Sequence, residues 1–193
     1  MEFKEYISIL SGLFCKIDSK EVENCIKAIE KAYKDDKQIF FFGNGGSAAN
    51  SSHFCEDLGK GLISDPNNQK RIRAISLTDN VPYILAWAND TNYDRIFVEQ
   101  LKNLANPGDL VIGISGSGNS QNVVQSIEYA NNNGINSFCF TGYDGGILKK
   151  ISQQCVHIDS FNMGAVETAH QAVIHYIIDV LYEKYKLSGC NDM

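Results

Sequence analysis

The sequence predicts an α/β protein: a three-layer sandwich with a central five-stranded parallel sheet, preceded by two helices. Three observations carry this prediction. From residue 38 onward, short apolar runs alternate with stretches of helical periodicity. Two of those runs lead straight into loops of Gly, Ser and Asn, namely Gly43-Asn44-Gly45-Gly46-Ser47 and Gly113-Ile114-Ser115-Gly116-Ser117-Gly118-Asn119-Ser120. Two amphipathic segments come before the first apolar run. Strands that alternate with helices form parallel sheets, because each crossover helix returns the chain to the same edge and covers a face.

The opening segments repeat apolar residues at helical spacing, Phe3, Tyr6, Ile7, Leu10, Leu13 and Phe14 in the first and Val22, Cys25, Ile26, Ile29 and Tyr33 in the second. Asp18-Ser19-Lys20-Glu21 between them reads as a turn with a helix cap. Their apolar faces require burial, on the domain or between subunits. Gln38–Phe42 then reads as a buried strand and Ala48–Leu62 as a helix. Arg73–Leu77 is a second strand, with Thr78-Asp79 capping the helix after it. Asp94–Leu104 is helical and Asn106-Pro107-Gly108-Asp109 a turn. Leu110–Ile114 is strand three, Ser120–Asn132 a helix, and Asn136–Phe140 strand four. A loop at Gly142–Gly146, a short helix and a strand at Cys155–Ile158 follow, and a last helix runs from about Ala165 to Tyr185. The polar stretch Ser64–Lys70 reads as an exposed loop. The division this suggests is a single domain over 1–193, with helices at 1–36 and an α/β core at 37–187.

Composition narrows the function. The chain has 193 residues, 44% hydrophobic and 21% charged, with a net charge of −6 and no basic run. That balance disfavours nucleic acid as a partner, and no apolar stretch is long enough to cross a bilayer. The first residues lack the basic start of a signal peptide. Six scattered cysteines without CxxC spacing read as reduced thiols of a cytoplasmic protein, Cys139 among them as strand core.

The two small-residue loops point to an anion. A strand that ends in Gly, Ser and Asn and then opens a helix aims backbone N–H groups and hydroxyls at one place. Ligands of parallel sheets bind at the carboxyl ends of the strands, where both loops lie. A substrate with one phosphate and several hydroxyls, such as a sugar phosphate, suits the pair.

Four histidines and their neighbours could do chemistry. His53 and Asp57 lie one helical turn apart on one face, a common beginning of a metal site, or else an incidental contact on an exposed face. The final helix carries Glu167, His170 and His175. Glu167 and His175 are offset by about 80° and converge only on a ligand between their directions. His170 reads equally as a position near the surface or an interface, His175 equally as a hydrogen-bonded core histidine, and His157 as a structural strand residue. Asn89-Asp90 reads as a turn or as a binder of sugar hydroxyls. Thr141–Gly146 reads as a plain turn.

With these motifs in view, the chain resembles the phosphoheptose isomerase family of SIS (sugar-isomerase) domain proteins. The match spans about Gln38 to Tyr182 and includes both small-residue loops, His53 to Asp57, Asn89-Asp90, Thr141–Gly146, and Glu167 to His175. The resemblance implies a flavodoxin-like SIS fold and conversion of sedoheptulose 7-phosphate to glycero-manno-heptose 7-phosphate, which feeds activated heptose into surface polysaccharide. It implies a homotetramer with the N-terminal helices in its core and active sites between subunits. It places a divalent metal, zinc, on His53, Asp57, Glu167 and His175. Substrate contacts fall on Asn44, Gly45, Gly46, Asn89, Asp90, Ser115, Gly116, Ser117 and Ser120, to which the loop adds Ser47 and the site's chemistry adds Asp57 and Glu167.

Two positions depart from well-known members, which usually carry Glu where this chain has Asp57 and Gln where it has Glu167. Asp is one methylene shorter, retracting the carboxylate by about 1.5 Å. Two carboxylates and two neutral imidazoles would cancel a divalent charge and make a milder Lewis acid. In the implied isomerisation a proton moves between C2 and C1 through an enediol, with Asp57 as its carrier and His175 as the partner acid/base. The two would alternate between ligation and proton transfer. The alternatives are a non-catalytic sugar-phosphate-binding or adaptor SIS protein, which would lack the carboxylate at position 57, and a sugar-phosphate-sensing regulator, which would need a DNA-binding segment.

Overall fold

The computed structural model describes residues 2–188. Cys190 therefore lies outside the described residues. Within them the five strands are β1 (Gln38–Gly43), β2 (Arg73–Ser76), β3 (Leu110–Ser115), β4 (Asn136–Thr141) and β5 (Gln154–His157). All pair in parallel, in the order β2-β1-β3-β4-β5. Eight α-helices accompany them: α1 (Phe3–Phe14), α2 (Ser19–Lys34), α3 (Gly46–Glu56), α4 (Val81–Asp90), α5 (Val98–Leu104), α6 (Gln121–Asn132), α7 (Leu148–Ile151) and α8 (Met163–Ser188). The expected fold class holds.

The three layers follow from the period of two along the strands. On β1, Ile39 and Phe41 join a core with Val22, Cys25, Ile26 and Ile29 of α2, Phe54 of α3 and Val173, Ile174 and Ile177 of α8. Phe40 and Phe42 point the other way, against Phe97, Leu101, Val123 and Ile127 near α5 and α6. Each fully buried phenylalanine contributes roughly 1.5–3 kcal/mol relative to exposure. Buried on both faces, β1 reads as a continuous apolar run rather than an alternating one. Cys139 is fully buried, as expected of a strand-core thiol.

The order 2-1-3-4-5 reverses direction between β1 and β3. A crevice opens there because the chain leaves β1 towards one face and β3 towards the other. The two small-residue loops are the loops that leave β1 and β3, so topology alone brings them together.

The elements differ from expectation in four places. The helix expected over Ala48–Leu62 is α-helical only to Glu56 and continues as a π-turn over Asp57–Gly61. Single π-turns occur frequently at functional sites, and this one begins at Asp57. Asn80, not Thr78-Asp79, caps α4, accepting from the Tyr83 backbone N–H at 3.2 Å, while Thr78 and Asp79 bond to Ser52. The helix expected over Asp94–Leu104 splits into a 3-10 turn at Tyr93–Arg95 and α5. Helix α8 starts two residues early, at Met163.

Helix α2 buries its apolar stripe on the sheet, and Asp18 caps it by accepting from the Lys20 N–H. Helix α1 does not reach the core in the same way. Only Leu10 is buried, and Phe3, Ile7 and Phe14 stay exposed.

Candidate functional site

The crevice between β1 and β3 is lined by Asn44, Gly45, Gly46, Ser47, Ser115, Gly116, Ser117 and Ser120, with Ile114, Met163 and Glu167 closing its sides. Two helices start at its wall. Helix α3 begins at Gly46, directly after Gly45, whose φ of +55° suits glycine. Helix α6 begins at Gln121, after Ser120. First-turn N–H groups have no partner within their helix, so both ends offer donors and a partial positive charge. The Ser115 and Ser120 hydroxyls meet at 3.0 Å. Asn44 is fixed by a reciprocal amide pair with Asn122, 2.9 Å each way, and accepts from the Tyr93 hydroxyl at 2.9 Å. Among the described residues the lining holds no lysine or arginine, so an anion there would be held by amides and hydroxyls.

The third glycine loop is more than the plain turn expected. It braces the Ser-rich loop from behind. The Gly142 N–H donates to the Gly116 carbonyl at 2.9 Å and the Leu148 N–H to the Gly118 carbonyl at 3.0 Å. The Ile147 N–H donates to Asn119 Oδ1 at 3.1 Å.

At the far end of α3, the π-turn that follows it and helix α8 complete a group that could hold a cation. His53, Asp57 and His175 offer ligand atoms all within 4.8 Å of one another. His53 Nε2 stands 3.4 Å from Asp57 Oδ2, and the two imidazoles meet edge-on, centroids 5.1 Å apart. Ligand atoms on a tetrahedral ion with bonds of about 2.0–2.1 Å are separated by roughly 3.3 Å, so the pair fits a nitrogen–oxygen site of the zinc type. His175 is exposed rather than a core histidine.

Glu167, the fourth expected ligand, lies elsewhere. Its carboxylate covers Gly46, 2.5 Å from where a Cβ would stand, and Asn50 donates to its backbone carbonyl at 3.1 Å. Eight residues separate it from His175, about 12 Å along the helix axis. Glu167 thus belongs to the crevice wall, while Gln171, one turn on, reaches the histidines at 3.0 Å (His53 Nδ1) and 2.8 Å (His175 Nε2). Asn89 and Asp90 are likewise not brought to the crevice. They sit exposed at the end of α4, bonded to each other at 2.8 Å. Tyr93, in the turn that follows, reaches the site instead. Sequence reasoning missed Gln171, Tyr93, Asn122 and Met163, and only Gln171 left a usable signal, its place four residues after Glu167 and four before His175.

A family model for the SIS domain matches residues 3–142. A probable phosphoheptose isomerase of Thermoplasma acidophilum is 35% identical over 96% of this chain and 100% of its own length. The chain belongs to the phosphoheptose isomerase family. A phosphoheptose isomerase of Akkermansia muciniphila is 32% identical over 83% of this chain and 84% of its own. The solved phosphoheptose isomerase of Neisseria gonorrhoeae superposes with a TM-score of 0.83 at 26% identity, covering 93% of this chain and 94% of that one.

Two of the chain's histidines serve structure. His157 on β5 bonds through Nδ1 to Thr141 Oγ1 at 3.1 Å, and its backbone N–H donates to Glu21. His170 is not near the surface but fully buried, its Nε2–H donating to the Thr141 carbonyl at 3.1 Å. Burial pulls its pKa down to about 4 from 6.5, with His157 adding in the same direction. Between those values the unfolded chain binds a proton that the folded one refuses, so this stability is complete above about pH 6.5 and is lost as pH falls towards 4. The full effect is on the order of 3 kcal/mol. Urea midpoints at pH 7.5 and 5 should fall less steeply with acid in His170→Gln than in the native chain. Equal slopes would contradict the assignment.

Proposed function

We propose that the protein is an aldose–ketose isomerase that converts sedoheptulose 7-phosphate to D-glycero-D-manno-heptose 7-phosphate. One observation carries the reading: α3, whose N-terminus opens the anion crevice, carries His53, and the π-turn that continues it and helix α8 add Asp57 and His175 to form a cation-competent group, in a member of the phosphoheptose isomerase family. An anion cradle by itself suits any phosphosugar binder. A carboxylate and two imidazoles carried by elements continuous with its walls would supply proton transfer.

In this reading the phosphate sits among Ser115, Ser117, Ser120 and the amides of the two loops. Asn44, Ser47 and Glu167 face the sugar hydroxyls. Asp57 removes the proton at one carbon and returns it to the neighbour through the enediol, and His175 moves the proton between the two oxygens. A divalent ion, Zn2+ on this donor set, would be held by His53, Asp57 and His175 and would polarise the substrate carbonyl and balance the developing negative charge. We place Glu167 on the substrate side, where its carboxylate already lies.

The protein is further proposed to act as a cytoplasmic homotetramer in nucleotide-activated heptose and surface polysaccharide synthesis, with helices 1–36 serving assembly and 37–187 catalysis. The exposed Phe3, Ile7 and Phe14 on α1 support an oligomer. Light scattering that gives the monomer mass at micromolar concentration would remove that part. The reaction is tested in D2O: proton transfer by Asp57 predicts solvent deuterium at C2 of the heptose product. Product formed with no deuterium would exclude a solvent-exchanging enediol base, and no product would exclude the substrate.

A further inference from the structure

We infer that Gln171 is a positioning residue of the metal site: its side-chain oxygen accepts the Nδ1–H of His53 and so fixes that ring with Nε2 turned to Asp57 and the ion. This rests on the metal reading proposed above and adds a residue to it.

The argument starts from the ring itself. His53 Nε2 is the nitrogen that stands 3.4 Å from Asp57 Oδ2, the separation two ligands of one ion adopt. A neutral imidazole has one N–H, so a ring that offers Nε2 to a metal carries its proton on Nδ1. Metal-bound histidines almost always donate that second N–H to a carbonyl or carboxylate, which sets tautomer and orientation. The polar group at Nδ1 is the Gln171 amide, 3.0 Å away, and the same amide is 2.8 Å from His175 Nε2. One side chain therefore touches both imidazoles of the group.

The amide nitrogen lies at both rings, and with a donor there His53 Nδ1 and His175 Nε2 accept. Gln171 Oε1 is buried and has no hydrogen-bond partner. No bond to the oxygen holds the amide this way round. Turning it over exchanges the two ends, places Oε1 at Nδ1, and moves the His53 proton from Nε2 to Nδ1. The oxygen has a second lone pair within reach of His175, so one rotation couples both rings. Gln171 thus has an acceptor end that matches the tautomer in which His53 Nε2 is free to bind an ion.

Zinc affinity of the full chain, measured by competition with a chromophoric chelator, tests this together with histidine 15N shifts. Gln171→Leu, which keeps the side chain's bulk and loses both polar ends, should bind zinc on the order of 10- to 100-fold more weakly. Gln171→Glu, which keeps the acceptor, should stay within a few-fold of the native protein. In the native chain, zinc addition should move the His53 proton to Nδ1. Native affinity in Gln171→Leu, equal losses in both variants, or a zinc-bound His53 protonated on Nε2 would each overturn the role of Gln171. A native chain whose zinc binding is absent, or is unchanged by His53→Ala, would overturn the metal reading itself and this inference with it.

Discussion

Asp57→Asn is expected to lower kcat by about 10²–10⁴-fold, the range that general acid–base groups contribute. The substitution keeps size, shape and one oxygen towards His53 Nε2, so the fold and the π-turn that begins at residue 57 should be unchanged. What it removes is the basic oxygen. Deuterium exchange from solvent into substrate should fall in step with turnover, because both need the same proton abstraction. Asp57→Glu should keep measurable activity, since it retains a carboxylate, displaced by about 1.5 Å. Substantial turnover in folded Asp57→Asn would contradict the assignment of the base.

Gly118→Val is expected to be almost as damaging, with no catalytic group touched. Gly118 has φ +67°, a region L-residues rarely occupy, and a Cβ there would stand 2.1 Å from the Gly145 carbonyl oxygen. The two loops meet backbone to backbone, so neither can yield by moving a flexible side chain. The Ser-rich loop would have to shift by an ångström or so, taking Ser115, Ser117 and Ser120 off the phosphate. Displacements of that size cost about 10²-fold in kcat/KM. Weaker inorganic phosphate binding should accompany the loss. Gly12→Ala is the control: a Cβ at that helical position meets nothing within 4 Å, and activity should be native. Native kcat/KM in Gly118→Val would mean that the loop is not the phosphate site.

The sequence was legible where a single element decides the outcome. Alternation and the apolar runs of Phe40–Phe42 and Val111–Ile114 disclosed the strands, and loop chemistry located the crevice. His53 and Asp57 were legible because four residues on one helix share a face whatever that helix packs against. The limits came where two elements must be registered. Which turn of α8 meets His53 depends on how α8 slides along α3. Glu167, Gln171 and His175 form one slowly drifting stripe, and any adjacent pair of them could have faced His53 on spacing alone. Packing set Glu167 over Gly46, where no side chain stands in its way, and left Gln171 and His175 to the histidine. Asn89 and Asp90 end α4 outside the crevice lining, and the next turn brings Tyr93 to it. His170, read as a position near the surface or an interface, lies on the buried side of α8 against β4.

The most direct measurement is turnover of sedoheptulose 7-phosphate by the purified chain, before and after verified metal removal and after zinc restoration. The account predicts heptose 7-phosphate from the zinc-loaded protein, loss of at least most activity on chelation, and its return with zinc. A folded, zinc-loaded protein that forms no heptose 7-phosphate would contradict the isomerase reading, and full activity in metal-free protein would contradict the role given to His53, Asp57 and His175.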